Sequence, residues 1–418
     1  MNSKYKGYGL IPFVQLLCLI SSFSILASVK NYRLAPDRIA KWRIIQSNQG
    51  TSGILAIKLY PINRDSAMIY VSQGLEKINL HNYGEAISYF TKAIELDSSI
   101  VAAYINRAYA KNKLLDYQSA INDYDRALKF KTTWEEAYEI HFNKGLTLVS
   151  LKNLKGAMAG FNYAIKINPN YADAYYNRSI LRGMSGDYEG ELQDIDKVIE
   201  LRPQDANAYN SRGIVKSLMG SSPGAIEDYT KAIELNNTNT DSYFNRALIY
   251  YQLRKYYEAL KDFNTVIQIK PDAEAFNRRG NVKCRLKDYR GAFEDYNSAI
   301  KTKPDDYLGY LNRGQLKYEL KDYQAAADDY TKALELKPDC SLIFYCRGLA
   351  RRQLNDHKGE IEDYSHAIEY KPDYENAYKE RGVAKYEMGD RSGGCEDLNT
   401  AVKFGSDIAY NYLIEHCK

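Results

Sequence analysis

Arginine and aspartate recur in this sequence at a constant distance from each other. Eight arginines are each followed sixteen residues later by an aspartate. The pairs are Arg107 and Asp123, Arg178 and Asp194, Arg212 and Asp228, Arg246 and Asp262, Arg279 and Asp295, Arg313 and Asp329, Arg347 and Asp363, and Arg381 and Asp397. A guanidinium and a carboxylate match in shape and charge and form two parallel hydrogen bonds. We therefore expect ion pairs that join neighbouring structural elements, although a row of arginines that binds an anionic ligand is the alternative.

The residues that usually carry catalysis are not grouped in this sequence. The five histidines, His81, His141, His357, His366 and His416, are scattered, and no cysteine or histidine spacing is typical of a metal site. We find no phosphate-binding loop, nucleophile motif or pair of catalytic carboxylates. The sequence therefore predicts no enzyme activity, no bound metal and no cofactor.

The arginine–aspartate pairs belong to a larger internal repeat. Ten units of nearly constant length follow one another, with a three-residue excess before Tyr138 and one residue missing before Ala273. The units start at Ala67, Val101, Tyr138, Ala172, Ala206, Thr240, Ala273, Tyr307, Ser341 and Glu375. In most units, apolar or small residues recur at positions 4 and 8 and again at 17, 20, 24 and 27. This spacing predicts two short amphipathic helices per unit.

The same positions predict how the two helices pack. Position 8 is Gly, Ala or Ser in all ten units, so the helix backbones can approach closely there. Eighteen of the 39 tyrosines occupy positions 4, 17 and 24, which places them in the core rather than on a surface that stacks nucleotide bases. Glu191 and Glu360 replace a small residue at position 20. We expect the aliphatic parts of these two side chains to pack while their charges reach solvent or a nearby lysine or arginine.

These positions closely resemble the tetratricopeptide repeat family, whose units have the same length and the same aromatic, small and proline positions. The resemblance covers residues 67–404. It implies an all-α fold, a right-handed α-solenoid of about ten helix–turn–helix repeats, whose first helices line a concave groove that binds peptides or protein segments. Residues 405–418 are then expected to form a helix that caps the last repeat.

The resemblance also implies which side chains contact a partner, because positions 2, 5, 6, 9, 12 and 13 of each first helix face the groove in this family. The expected partner-binding residues are Asn106, Tyr109, Phe142, Asn143, Tyr176, Asn177, Phe244, Asn245, Tyr251 and Asn312. An asparagine amide can donate to and accept from a peptide backbone, although it can also bond within its own helix. The lysine and asparagine clamp with which chaperone-binding relatives hold two carboxylates is not matched by any three adjacent units.

One cysteine pair stands at the end of the repeats. Cys395 lies on the second helix of the tenth unit, and Cys417 lies on the helix expected to pack against it. The two are expected to be close enough to bond. We expect them to remain buried thiols in a reducing cytoplasm, and a disulfide is the alternative.

The charge distribution separates residues 1–66 from the rest of the chain. Residues 1–66 contain nine basic and two acidic side chains, whereas residues 67–418 contain 48 basic and 51 acidic side chains. A repeat region with a net charge of −3 does not favour nucleic-acid binding. We therefore expect a non-catalytic scaffold or adaptor that binds a protein or peptide. A self-associating structural scaffold is the first alternative, and an RNA-binding helical-repeat protein is the second.

The N-terminal segment predicts membrane attachment. Residues 10–29 contain no charged side chain, which is long enough for one membrane-spanning helix, so residues 1–29 are interpreted as a hydrophobic anchor or signal segment. Residues 30–66 are interpreted as a basic linker. The basic residues after the apolar stretch favour a membrane-anchored protein with cytoplasmic repeats. Export through a cleaved signal peptide is the alternative.

Overall fold

A computed structural model describes residues 62–130 and 132–417 of the chain. In this part every regular element is a helix. The helices are α1 (Ile62–Asn79), α2 (Tyr83–Leu96), α3 (Val101–Lys113), α4 (Tyr117–Ala127), α5 (Trp134–Ser150), α6 (Leu154–Ile167), α7 (Ala172–Met184), α8 (Tyr188–Leu201), α9 (Ala206–Leu218), α10 (Ser222–Leu235), α11 (Thr240–Gln252), α12 (Tyr256–Ile269), α13 (Ala273–Arg285), α14 (Tyr289–Thr302), α15 (Tyr307–Glu319), α16 (Tyr323–Leu336), α17 (Ser341–Gln353), α18 (His357–Tyr370), α19 (Glu375–Glu387), α20 (Arg391–Lys403) and α21 (Asp407–His416).

The helices form ten pairs followed by one terminal helix, which confirms the predicted helix–turn–helix repeat. The turn inside each pair has one construction. A residue with positive φ ends the first helix and directly precedes the N-cap of the second, as Gly186 at φ 81° precedes Asp187. The Asp187 carboxylate accepts a hydrogen bond from the Gly190 backbone N–H, which satisfies a donor that the helix start leaves without a helical partner.

In eight of the ten pairs the core is an aromatic ring placed against a glycine or alanine. A Cβ atom added at Gly213 would lie 2.7 Å from the Tyr229 ring, and one added at Gly280 would lie 2.6 Å from the Tyr296 ring. Both rings are almost fully buried. The position-24 tyrosines therefore fill the space that small position-8 residues leave, as the sequence predicts.

The described helices fall into two compact units that divide after Gln204. The first contains α1 to α8, and the second contains α9 to α21. In the second unit, the terminal helix α21 packs on the preceding pair through Ala409, which is buried, and through Leu413.

The prediction of a membrane-anchored protein is wrong for the part of the chain that the structure describes. None of the described helices is both long enough and apolar enough to span a bilayer. The described helices instead place their apolar side chains against each other within the pairs. Residues 10–29, on which the prediction rested, and most of the basic linker at 30–66 lie outside the described residues.

Candidate functional site

The predicted arginine–aspartate ion pairs are present in all eight units that carry them. In each pair Nε and Nη2 of the arginine donate to the two carboxylate oxygens at 2.6–3.0 Å. The eight aspartates are buried, with 1–5% of their surface exposed. The interpretation as ion pairs that join the two helices of a unit is therefore confirmed.

These arginines also connect one unit to the unit before it. Nη1 of Arg246 donates to the Thr230 hydroxyl of the preceding second helix at 2.8 Å, and Nη1 of Arg313 donates to Asn297 Oδ1. The Arg246 guanidinium lies over the Tyr243 ring, 5.7 Å from its centre. Such a group thus joins three helices, and we call the series of the eight arginine–aspartate groups the arginine ladder.

A second cation reaches most of the buried aspartates, and sequence reasoning missed it. Lys317 Nζ lies 2.8 Å from Asp329 Oδ2, and a lysine or arginine four residues after the ladder arginine makes the same contact in six other units. Asp262 differs, because Tyr250 occupies the equivalent position in its unit. The signal was available, since position 11 is basic in seven of the eight ladder units.

In the first compact unit, the expected partner-binding residues lie on the first helices α3, α5 and α7. The amides of Asn106 and Asn177 donate to carbonyl oxygens one turn earlier in their own helices, Ala102 and Asp173, at 2.8 Å. Tyr109 is half-buried, with its ring edge-on to the Tyr83 ring.

The other three residues of this set differ in exposure. Phe142 is only 2% exposed and packs against Phe161 and Tyr171, so its ring belongs to the core. Asn143 and Tyr176 are half-buried.

In the second compact unit, the expected residues lie on α11 and α15. Asn245 and Asn312 donate to the side-chain oxygens of Asn210 and Asn277, each on the preceding first helix, at 3.3 and 3.4 Å. Of these four asparagine amides, two thus bond within a helix and two bond between adjacent first helices.

The aromatic residues of this part remain partly accessible. The half-buried Phe244 ring contacts Phe263 edge-on. Tyr251 is also half-buried, and its hydroxyl accepts a hydrogen bond from Nε of Arg285 on α13 at 3.2 Å. Tyr251 and Arg285 therefore form one polar and aromatic surface across two adjacent first helices.

The two unusual position-20 carboxylates are more enclosed than expected. Glu360 is fully buried, with Oε2 placed 3.3 Å from Nδ1 of His357, so the expectation that its charge reaches solvent is wrong. Burial raises the pKa of Glu360. Burial, together with the nearby Asp187 carboxylate, raises the pKa of Glu191 to about 7.

Cys395 and Cys417 form a disulfide bond with Cα atoms 5.8 Å apart, which ties α21 to α20, so the expectation of two thiols is wrong. Three other cysteines in the described residues, Cys284, Cys340 and Cys346, are free. The described part of the chain contains no cluster of three or more His, Cys, Asp or Glu side chains suited to a metal ion.

The repeat units match known family models. Models described as Tetratricopeptide repeat match residues 67–100, 106–172, 161–193, 240–272 and 307–340, and one described as TPR repeat matches residues 218–254. Together these stretches make up about half of the chain.

Curated relatives match shorter parts. Serine/threonine-protein phosphatase 5 of Rattus norvegicus is 34% identical over 109 residues, which are 25% of this chain and 22% of the relative. Tetratricopeptide repeat protein 12 of Mus musculus is 31% identical over 134 residues, which are 31% of this chain and 19% of the relative. The chain thus spans about a fifth of the length of these relatives.

Among solved structures, the C-terminal part of a TPR repeat-containing protein from Cytophaga hutchinsonii superposes with a TM-score of 0.50 at 17% identity. The match covers 58% of this chain and 98% of the other chain. At this identity the likeness concerns the fold alone.

Proposed function

This chain belongs to the tetratricopeptide repeat family, and from that premise we propose that it is a non-catalytic scaffold that binds peptide or protein segments through its first helices. The repeats make it a protein–protein interaction module. The proposed binding surface consists of the expected residues other than the buried Phe142. The resemblance to this family implies that the first helices line one face of the repeats, so within each compact unit their exposed side chains would form a groove.

The observation that carries this proposal is the surface made by Tyr251 and Arg285. Both side chains come from first helices, and they are joined by a hydrogen bond of 3.2 Å that holds the tyrosine ring in place. Tyrosine and arginine, together with tryptophan, are enriched among the residues that contribute most to the binding energy of protein interfaces. A ring held in advance loses little conformational freedom when a partner binds.

The sequence suggested that the asparagine amides both donate to and accept from a bound backbone. In this proposal they act as acceptors. Asn245 and Asn312 each donate one amide N–H to a neighbouring asparagine, and their carbonyl oxygens can still accept a hydrogen bond from a partner. We propose that a bound segment runs across adjacent first helices and donates its backbone N–H groups to these oxygens. Its apolar side chains would then contact Phe244 and Tyr251 in the same compact unit.

The proposal is tested by selecting binding peptides from a random library displayed on phage against the full chain. We expect the double substitution Phe244→Ala with Tyr251→Ala to weaken the selected peptides at least tenfold, because two aromatic contacts are lost. The matched control is Tyr257→Ala, since Tyr257 is 76% exposed on the second helix α12.

Equal thermal unfolding of the variants, followed by circular dichroism, ensures that binding and not folding is compared. Peptides that bind the double variant as tightly as the unaltered chain would show that this surface is not the binding site.

A further inference from the structure

The arginine ladder is interrupted in the third unit. Position 7 is Lys144 instead of arginine, position 11 is Leu148 instead of a second cation, and position 23 is Gly160 instead of aspartate. The ammonium group of Lys144 contacts Asp125 of the preceding second helix, α4. In the ladder units the space between successive second helices holds an arginine, its aspartate and in most cases a second cation. In the third unit these three side chains are absent, and Lys144 pairs with a carboxylate of the preceding unit instead.

The backbone explains why aspartate is absent at position 160. A Cβ atom added at Gly160 would lie 2.8 Å from the His141 carbonyl oxygen and 3.1 Å from Gly145 Cα. Both of these are backbone atoms of α5 and cannot move aside as a side chain can. The close contact of α5 with α6 thus excludes any side chain at residue 160 and with it the ladder aspartate.

An open cleft of about 700 Å³ occupies this place. Its lining includes Ile121 of α4, Leu148 and Leu151 near the end of α5, and Ala159 and Tyr163 of α6.

The first unit provides a contrast, because it also lacks the arginine and the aspartate. There the Tyr70 and Tyr89 rings stack at 6.3 Å, and Lys92 lies 5.7 Å from both ring centres. A missing ladder pair is therefore replaced by other side chains in one unit and leaves a cleft in the other.

The mouth of the cleft is basic. Lys144 in the lining is paired with Asp125, whereas Lys152 and Lys155, which are next to lining residues of the turn between α5 and α6, are exposed. His141 adds little positive charge at neutral pH, since burial and then the Lys144 charge lower its pKa. A complementary occupant therefore combines apolar side chains with carboxylates.

Such a surface is present at the other end of the chain, on α21. Its outer face carries Ile408, Tyr410 and Ile414, which are 68%, 54% and 43% exposed, and the carboxylates of Asp407 and Glu415 are exposed beside them. The disulfide and the buried Ala409 hold the opposite face of the helix against the preceding pair. The segment 1–66 is basic and lacks this complementarity.

We propose that the cleft between α4, α5 and α6 binds the outer face of α21 from a second copy of this chain. The inference goes beyond the proposed partner groove and does not depend on it. Because the two surfaces differ, the contact is head to tail and leaves one cleft and one α21 free on every dimer. The contact is small and carries opposite charges, so the association is weak and becomes weaker as salt is added.

The test uses two full-length variants, each blocked at one surface and altered only at exposed side chains. Leu151→Glu places a carboxylate at the cleft, where it repels the incoming acidic helix, and Ile408→Lys with Ile414→Lys places two cations on α21. In sedimentation equilibrium we expect the average mass of the unaltered chain to rise with concentration, while each variant alone keeps the monomer mass. An equimolar mixture of the two variants restores association but stops at a dimer, because only one intact cleft meets one intact helix.

Leu115→Glu is the matched control, since Leu115 is 70% exposed in the turn before α4 and outside the cleft lining. It leaves the association unchanged. Tyr163→Ala, which removes a ring from the cleft wall, provides a second cleft variant if Leu151→Glu unfolds the chain. A monomer mass for the unaltered chain at every concentration overturns the proposal, and so does a mixture of the two blocked variants that forms no dimer. If the cleft instead binds a different protein, the unaltered chain keeps the monomer mass at every concentration.

Discussion

A buried aspartate is costly unless cations and hydrogen-bond donors surround it, and the arginine ladder supplies both. Removing an isolated carboxylate from water costs several kcal/mol, and losing its partner leaves that cost uncompensated. In seven of the eight ladder units the aspartate has two basic partners, whereas Asp262 relies on Arg246 alone. The units therefore differ in how much a single arginine contributes to the free energy of folding.

This difference gives a prediction for two matched substitutions. Arg246→Ala leaves Asp262 buried without a cation, so we expect it to cost about 3–5 kcal/mol of folding free energy. Arg313→Ala leaves Asp329 in contact with Lys317 at 2.8 Å, so we expect about half that loss. Thermal unfolding followed by circular dichroism measures both, and equal losses in the two variants would contradict the argument.

Glu191 gives a prediction about pH, because its pKa is raised from 4.5 to about 7 in the folded protein. The folded state then holds the proton more tightly than the unfolded state, and stability falls as pH rises from 4.5 to 7. Above that range the loss is complete, on the order of 2 kcal/mol after allowance for partial exposure. We expect Glu191→Gln to raise the melting temperature at pH 8 and to leave it almost unchanged at pH 4. A shift of equal size at both pH values would show that ionisation of Glu191 is not the cause.

The sequence predicted the ladder pairs but not all of their partners. Two residues that always occur together at one spacing, such as Arg246 and Asp262, indicate a contact. Thr230 was missed because position 25 is Thr, Asn, Ser or Asp in different units, and any of these can accept a hydrogen bond. The full burial of Glu360 was also missed, since a periodic pattern shows where a side chain starts but not where its end points.

At the scale of the elements, the insertion before Tyr138 shows what periodicity can and cannot locate. The sequence revealed three extra residues, and the structure accommodates them by ending α4 early and starting α5 at Trp134. A local signal for this start was present. Thr133 and Glu136 form a capping box in which each side chain accepts a hydrogen bond from the backbone N–H of the other residue. Reading the caps as well as the repeat would have placed α5 correctly.

At the scale of the whole molecule, the repeat pattern gave no sign of a division. The regular spacing continues unchanged from the unit at Ala172 to the unit at Ala206, yet the described helices separate into two compact units after Gln204. The repeat positions are the residues that all units have in common. The division into compact units depends instead on the packing between each helix pair and the next, which the shared positions do not describe. In repeat proteins stability is nearly a sum of local terms, so a local change should remain local.

Two equivalent glycines, one in each compact unit, test this expectation. Alanine at Gly145 would place its Cβ 2.7 Å from the Phe161 ring, and alanine at Gly280 would place its Cβ 2.6 Å from the Tyr296 ring. Overpacking of this kind costs about 1–3 kcal/mol in a filled core.

We expect Gly145→Ala to speed hydrogen exchange only in helices α1 to α8, and Gly280→Ala to speed it only in α9 to α21. Hydrogen exchange read by mass spectrometry on peptides from the full chain distinguishes these patterns. If either substitution accelerated exchange equally in all described helices, the chain would unfold as one cooperative body, because destabilising one compact unit would then destabilise the other.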